Sequence, residues 1–177
     1  MKKLIYTPYE LALIVTFYRM DTIKMTEFLN NIFKYDNAFI EIKYRHEQKQ
    51  FMLDVMECVN YINNQKQFDM EANALNKDME DFGLQNEILN EKEILNVYHL
   101  VFKELRLKIL YINTNGYTKM KMRTLISRLG YKKRSPQLVN YIYDCLLFYH
   151  ISVTLKENVD CDIESVELDR QIIFRVI

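Results

Sequence analysis

Glycine is almost absent from this sequence, with only three in 177 residues. A typical protein has about 7% glycine, and glycine supplies the positive φ angles that hairpin turns and phosphate-cradling loops require. Sandwiches, barrels and glycine-rich nucleotide loops are therefore excluded for most of the chain. The sequence predicts a mainly α fold with a minor β part. Its length suits one domain or two small ones, whose core needs neither a disulfide nor a metal.

The N-terminal region, 1–64, is predicted to be helical. Thr7, Pro8 and Glu10 form a helix start, because Thr7 can cap, Pro8 needs no donor at the first helical position, and Glu10 completes a capping box. Apolar residues at helical spacing then predict a helix over about 8–20.

Two further helices are expected in this region. One covers about 25–34, and a longer amphipathic helix covers 36–64, although the alternation over 38–44 also fits a strand. The apolar residues of segment 24–32 have the same spacing as those of segment 121–129. Either an internal duplication or helical periodicity alone would produce this similarity. The region is accordingly interpreted as a second helix-turn-helix or a dimerisation unit.

Charge is segregated along the chain although Lys+Arg and Asp+Glu both number 24. Residues 117–134 contain seven basic residues and no acid, 69–93 contain eight acids, and 157–169 contain six acids and no base. Such asymmetry is more informative than a net charge of zero, although a charge run is also typical of a solvated surface. The polar segment 65–90 is predicted to be an acidic linker with weak helices.

Three helices and a hairpin are predicted within 91–177. A strong helix over 91–112 has acids at its start and bases toward its end, which matches the helix dipole. A helix over 118–129 is closed by Gly130, and Ser135 and Pro136 start another over 136–149. Alternating apolar residues then predict two strands, over 151–155 and over 172–176.

This order of elements, with the basic loading and the Gly130 and Ser135-Pro136 signals, resembles the winged-helix branch of the helix-turn-helix superfamily. The resemblance covers 91–177 and implies that the last helix lies in the major groove of duplex DNA. It also implies a set of DNA-contacting residues that surrounds the start of this helix. These are Lys119, Lys121, Arg123, Arg128, Lys132, Lys133, Arg134, Ser135, Gln137, Asn140 and Tyr141.

Each group in that set suits its implied role. Lys132, Lys133 and Arg134 precede the last helix, where cations and free N–H groups converge on phosphate. Leu138, Val139, Ile142, Cys145 and Leu146 would face the core, which leaves Gln137, Asn140, Tyr141 and Asp144 outward. Such polar groups can read base edges, but they are also ordinary on a solvated helix.

The predicted wing departs from the family, because a wing that approaches DNA should be basic and 157–169 is acidic. Either the wing points away from DNA, or it binds another protein, or the fold as a whole serves protein contact. The acidic segments 69–93 and 157–169 are therefore also candidate surfaces for a protein partner.

No enzyme signature is present. The sequence lacks a phosphate-binding glycine-rich loop and metalloprotease, hydrolase and calcium-loop motifs. His46, His99 and His150 are isolated, and no metal or cofactor is predicted. Three cysteines without a CxxC pattern indicate a reducing, cytoplasmic setting, and no apolar run is long enough for a membrane helix.

The sequence thus predicts a small, non-enzymatic protein that binds double-stranded DNA as a homodimer, in transcriptional regulation or in the replication or partition of a mobile element. The alternative is a protein-interaction module or inhibitor, whose acidic surfaces occupy the nucleic-acid-binding site of a host protein.

Overall fold

The computed structural model describes residues 5–80, 91–156 and 159–177. Helices dominate these residues, and one small antiparallel sheet accompanies them. The predicted mainly α class with a minor β part is therefore confirmed. The chain separates into two units, 1–90 and 91–177.

The first unit begins with the predicted capping box. The Thr7 hydroxyl accepts from the Glu10 N–H at 3.3 Å, and the Glu10 carboxylate accepts from the Thr7 N–H at 3.0 Å. Helix α1 (Pro8–Phe17) follows, and Asp21 caps helix α2 (Thr22–Tyr35). The start of α1 is thus fixed by residues within four positions of each other.

The chain after α2 differs from both predictions for 38–44. It forms two short 3₁₀ helices, Asn37–Phe39 and Ile42–Tyr44, rather than a longer helix or a strand. Between them Ile40 pairs with Tyr6 in an isolated parallel bridge, and the Tyr6 N–H donates to the Phe39 carbonyl at 2.7 Å. This contact with a distant part of the chain interrupts the helical path.

Helix α3 (Gln48–Glu80) is longer than expected. It packs against α1 and buries Phe51, Val55 and Ile62. The helix continues to Glu80 where an acidic linker with weak helices is predicted, so 65–80 is one unbroken helix rather than a linker. The remainder of that predicted linker, 81–90, lies outside the described residues.

The second unit begins with helix α4 (Glu91–Leu107), which ends in a π-helical turn at Lys108–Ile112. Residues 101–107 of α4 are buried at every position, including Lys103 and Glu104. The elements that follow are strand β1 (Thr118–Lys121), helices α5 (Met122–Arg128) and α6 (Pro136–Phe148), and strands β2 (Ile151–Thr154) and β3 (Gln171–Val176).

Strand β1 corrects the prediction of a helix over 118–129, because its residues are extended and only 122–128 are helical. Thr118 is opposite Phe174 and Lys121 is opposite Gln171 in an antiparallel ladder with β3. Thr118 is buried whereas Lys119 is exposed, as expected for strand alternation. Pairing with β3 therefore outweighs the local helical spacing.

The sheet has the order β1-β3-β2, with both pairs antiparallel. Ile172 and Phe174 of β3 are fully buried on its inner face. On the outer face, Ile173 lies between Lys119 of β1 and Thr154 of β2. The predicted C-terminal hairpin is thus present and gains β1 as a third strand.

Gly130 ends α5 as predicted. Its φ is +83°, a left-handed conformation that glycine adopts without a steric penalty. Its N–H donates to the Ser127 carbonyl at 3.0 Å, and the Tyr131 N–H donates to the Ile126 carbonyl at 3.1 Å. This pair of hydrogen bonds is a Schellman motif, and it turns the chain sharply from α5 toward α6.

Candidate nucleic-acid interface

Helix α6 has the start and the buried face that the sequence predicts. The Ser135 hydroxyl accepts from the Leu138 N–H at 3.3 Å, and Pro136 occupies the first helical turn. Gln137, Asn140 and Asp144 are exposed on the opposite face. The residues that pack inward are Leu138, Val139, Ile142, Cys145 and Leu146. Ser135 thus acts as the helix cap, and Gln137 and Asn140 are available to a ligand.

Tyr141 does not point outward with them. It is half-buried, its hydroxyl oxygen is buried, and its ring packs edge-on to His99 with 6.4 Å between the centroids. The neighbouring Tyr149 hydroxyl lies 2.7 Å from Nδ1 of His99. Tyr141 therefore belongs to an aromatic cluster of the core, which corrects its prediction as an outward contact.

Lys132 and Lys133 are exposed in the turn that precedes α6. No carboxylate in the described part of the chain forms an ion pair with either lysine. Their charges are therefore available to an external anion at the positive end of the α6 dipole.

Arg134 has an internal role instead. Its guanidinium Nη1 donates to the carbonyls of Ile163 and Val166, each at 2.7 Å. These carbonyls belong to the connection between β2 and β3, so Arg134 fastens this connection to the turn before α6. The predicted trio of phosphate-binding cations is accordingly reduced to two.

Arg128 is also engaged within the fold. Its Nη2 lies 2.8 Å from Oε2 of Glu104 on α4, and the two side chains are 28% and 5% exposed. Because the Glu104 carboxylate is buried, giving up this ion pair would cost the fold a charged contact away from solvent. The structure thus gives Arg128 a structural contact and not the expected open position.

Lys121 and Arg123 contact the acidic connection. Arg123 donates to both Asp169 oxygens, at 3.1 and 2.8 Å, and the Lys121 ammonium lies 3.9 Å from Asp169. The Arg123 guanidinium lowers the pKa of the Asp169 carboxyl below its usual range. All three side chains are more than half exposed, so this pairing is open to competition from solvent anions.

Asp162 organises the same connection. Its carboxylate accepts from the Ser165 hydroxyl, from the Glu164 N–H at 2.9 Å and from the Tyr143 hydroxyl at 2.9 Å. These hydrogen bonds, that of Ser165 first, lower the pKa of Asp162. Two acids of 157–169 therefore serve contacts within the unit, and Glu157 lies outside the described residues.

Lys119 stands on the outer face of the sheet. Its ammonium lies 5.1 Å from the centroid of the Tyr117 ring, and the Arg175 guanidinium lies 5.8 Å from the same ring. Arg175 was not among the predicted contacts, nor were Lys156 and Arg170. Lys156 and Arg175 could have been identified from the sequence, because both occupy polar positions in the two alternating runs at the end of the chain.

The two units differ in charge. The 91–177 unit has fourteen Lys/Arg against ten Asp/Glu, a formal charge of +4, whereas 1–90 has ten against fourteen. The zero net charge of the whole chain therefore conceals one basic and one acidic unit.

No family model, curated protein or solved structure matches the chain. Among the described residues, no helix combines the length and the apolar character needed to cross a membrane. The same residues contain no group of three or more His, Cys, Asp or Glu side chains placed to hold a metal ion.

Proposed function

We propose that this chain binds double-stranded DNA through its 91–177 unit, with α6 in the major groove. The observation that carries the proposal is the order of elements, in which a helix, a shorter helix and a longer helix are followed by a hairpin. This order is that of winged-helix domains, in which the longer helix reads the major groove. The turn before α6 is closed by Gly130 and Ser135, as such a unit requires.

The exposed face of α6 has the chemistry for this role. Gln137 and Asn140 are exposed within the first two turns, where amide side chains can bind adenine in a bidentate manner. Lys132 and Lys133 lie just before this helix and are exposed, so they would contact phosphates. Base-reading and phosphate-binding groups are thus adjacent at one end of α6.

The electrostatics also support DNA as the ligand. The unit has a charge of +4, and the Asp169 carboxylate is paired with the Arg123 guanidinium. This ion pair reduces the repulsion between Asp169 and phosphate. We further propose a homodimer, because two copies would bind two half-sites about one helical turn apart.

The test is a fluorescence titration of the whole protein with mixed AT-rich duplexes at about 50 and 200 mM salt. Binding should weaken with salt, and Lys132→Gln with Lys133→Gln should lower the slope of log K against log salt by ~1.8, from ~0.9 per phosphate contact. Asn140→Ala should relax preference at one base pair. The matched control is Lys24→Gln with Lys34→Gln, two exposed lysines of the 1–90 unit.

Two results would contradict the proposal. Binding that keeps its slope in the Lys132 and Lys133 variant would refute this orientation of α6. Absence of binding at about 50 mM salt would refute DNA as the ligand. That second result would favour the protein-interaction alternative, for which the acidic segments 69–93 and 157–169 are the candidate surfaces, and a pull-down would then follow.

A further inference from the structure

Helix α3 carries large apolar side chains on a side that faces solvent. Its core side buries Phe51, Val55 and Ile62. On the opposite side Leu53 is 43% exposed and Met56 is 39% exposed. A groove of ≈ 430 Å³ lies beside Leu53 and is lined by the first turns of this helix, at Gln48, Lys49, Met52 and Leu53. The described elements of the chain therefore leave this side of α3 uncovered.

The exposed side has the spacing of a surface that pairs with another helix. Its residues follow one another at intervals of four, three and four positions, which is the heptad spacing of paired helices. All of them are exposed, and we call them the α3 seam: Lys49, Leu53, Met56 and Asn60. Leu53 and Met56 form the apolar centre of the seam, so a second helix laid along it would remove both side chains from water.

The charges at the seam are free and of opposite sign. Lys49 stands at one end, and Glu57 flanks the other end about two helical turns away. Both are exposed, and neither forms an ion pair within the part of the chain that the structure describes. Asp54 is engaged instead, because it accepts from the Tyr44 hydroxyl and, at 2.5 Å, from the Gln50 amide. The seam therefore offers one cation and one anion to a partner.

We propose that the α3 seam binds a second copy of this chain in antiparallel orientation, with Leu53 of each copy against Met56 of the other. A two-fold axis between these residues makes the seam complementary to itself, as the interface of a symmetric dimer requires. Lys49 then lies within one helical turn of Glu57 of the second copy, on both sides of the axis. Parallel helices would instead set Lys49 against Lys49, where like charges repel.

This inference rests on the homodimer of the proposed function, to which it gives an interface in the 1–90 unit. It does not depend on DNA binding. The opposite charges at the two ends of the seam favour a second copy over an unrelated partner, because the two-fold axis brings each charge to its complement without any further residue.

Sedimentation equilibrium of the whole protein across the micromolar range gives the Kd of the dimer. Leu53→Glu places two charges at the centre of the interface and removes two leucines from it, so the Kd should rise at least about 100-fold. The matched control is Leu147→Glu, which changes a leucine of α6 that is 80% exposed and should leave the Kd unchanged. Circular dichroism confirms that each variant is folded.

Charge reversal tests the antiparallel orientation. Lys49→Glu or Glu57→Lys alone turns two attractive pairs into two repulsive ones, so each should raise the Kd about tenfold. The double variant restores opposite charges and should recover the wild-type Kd, whereas a second substitution would not repair a loss of folding. In a parallel pair each single variant would only exchange one like-charge contact for another. An unchanged Kd in both single variants would therefore overturn the proposed orientation.

The possible outcomes separate this interface from the homodimer itself. If the wild-type protein is monomeric throughout the micromolar range, both fail. If it is a dimer and Leu53→Glu leaves the Kd unchanged, the α3 seam is overturned and the homodimer forms through another surface. The DNA titration of the Lys132 and Lys133 variant is independent of either result, so failure of DNA binding is recognised separately.

Discussion

Arg128 provides the sharpest test of whether a basic residue supports the fold or contacts DNA. It lies at the end of α5 and pairs at 2.8 Å with Glu104 of α4. The exposed fractions of the two side chains, 28% for Arg128 and 5% for Glu104, are unequal. The perturbations are therefore Arg128→Gln and Glu104→Gln, made separately and compared for their effect on the free energy of unfolding.

The expected magnitudes follow from what each substitution leaves behind. At an effective dielectric constant of about 20, two unit charges about 4 Å apart attract by ~4 kcal/mol before desolvation. Removing one partner of a buried pair costs about 3–5 kcal/mol, because the remaining charge stays desolvated. Arg128→Gln removes a charged contact from the more deeply buried partner, Glu104, so we expect the larger loss, about 3 kcal/mol.

Glu104→Gln leaves the guanidinium, which is close enough to solvent to hydrate by a side-chain rotation. We therefore expect a smaller loss, about 1–2 kcal/mol. For a domain of 60–100 residues, 3 kcal/mol corresponds to a decrease in Tm of about 12–24 °C. The asymmetry between the two variants is the diagnostic quantity.

Urea unfolding followed by circular dichroism measures both losses, and a DNA titration of each variant at a temperature where it is folded measures the salt slope. The reasoning is refuted if Arg128→Gln leaves the unfolding free energy within about 0.5 kcal/mol of wild type, the range of ordinary surface substitutions. An accompanying decrease of ~0.9 in the salt slope would then restore Arg128 to the DNA interface.

Two other contacts and one backbone conformation give measurable expectations. The Arg123 guanidinium lowers the pKa of Asp169, so carboxyl-carbon NMR should give a pKa below the ordinary 3.8 in the wild type and a value closer to 3.8 in Arg123→Gln. This contact stabilises the fold fully above the pKa that Asp169 has in the unfolded chain, and the stabilisation is lost as the pH falls through the pKa of the folded state. Arg134→Gln should speed amide hydrogen exchange across 159–170, because two carbonyls lose their donor. Arg19 has φ +50°, so Arg19→Gly should stabilise the protein by about 1 kcal/mol in urea unfolding; an unchanged midpoint would contradict that.

Helix starts and ends are predictable from this sequence because their causes are local. The capping box at Thr7, the cap at Ser135 and the left-handed Gly130 each involve residues within five positions of one another. The inward face of α6 is equally predictable, since a period of 3.6 residues fixes which side chains share a face. The mainly α class follows from the same local rules together with the lack of glycine.

Strand β1 was not predictable in this way. Its partner in the ladder, β3, begins about fifty residues later, with Lys121 opposite Gln171. The local pattern of 118–129 fits a helix as well as a strand, and only hydrogen bonds to that distant strand select the extended conformation. The bridge between Tyr6 and Ile40 interrupts the predicted helix over 36–64 for the same reason.

The sequence by itself determined that a basic segment lies beside two helices, but only the tertiary structure decided which of its charges face solvent. Arg128 and Arg134 are engaged within the fold, whereas Lys132 and Lys133 stay exposed. In the folded unit Lys156, from outside the segment, lies with Lys119 along one groove. The physical reason is that electrostatic interaction depends on distance and desolvation in space, which proximity along the chain does not fix.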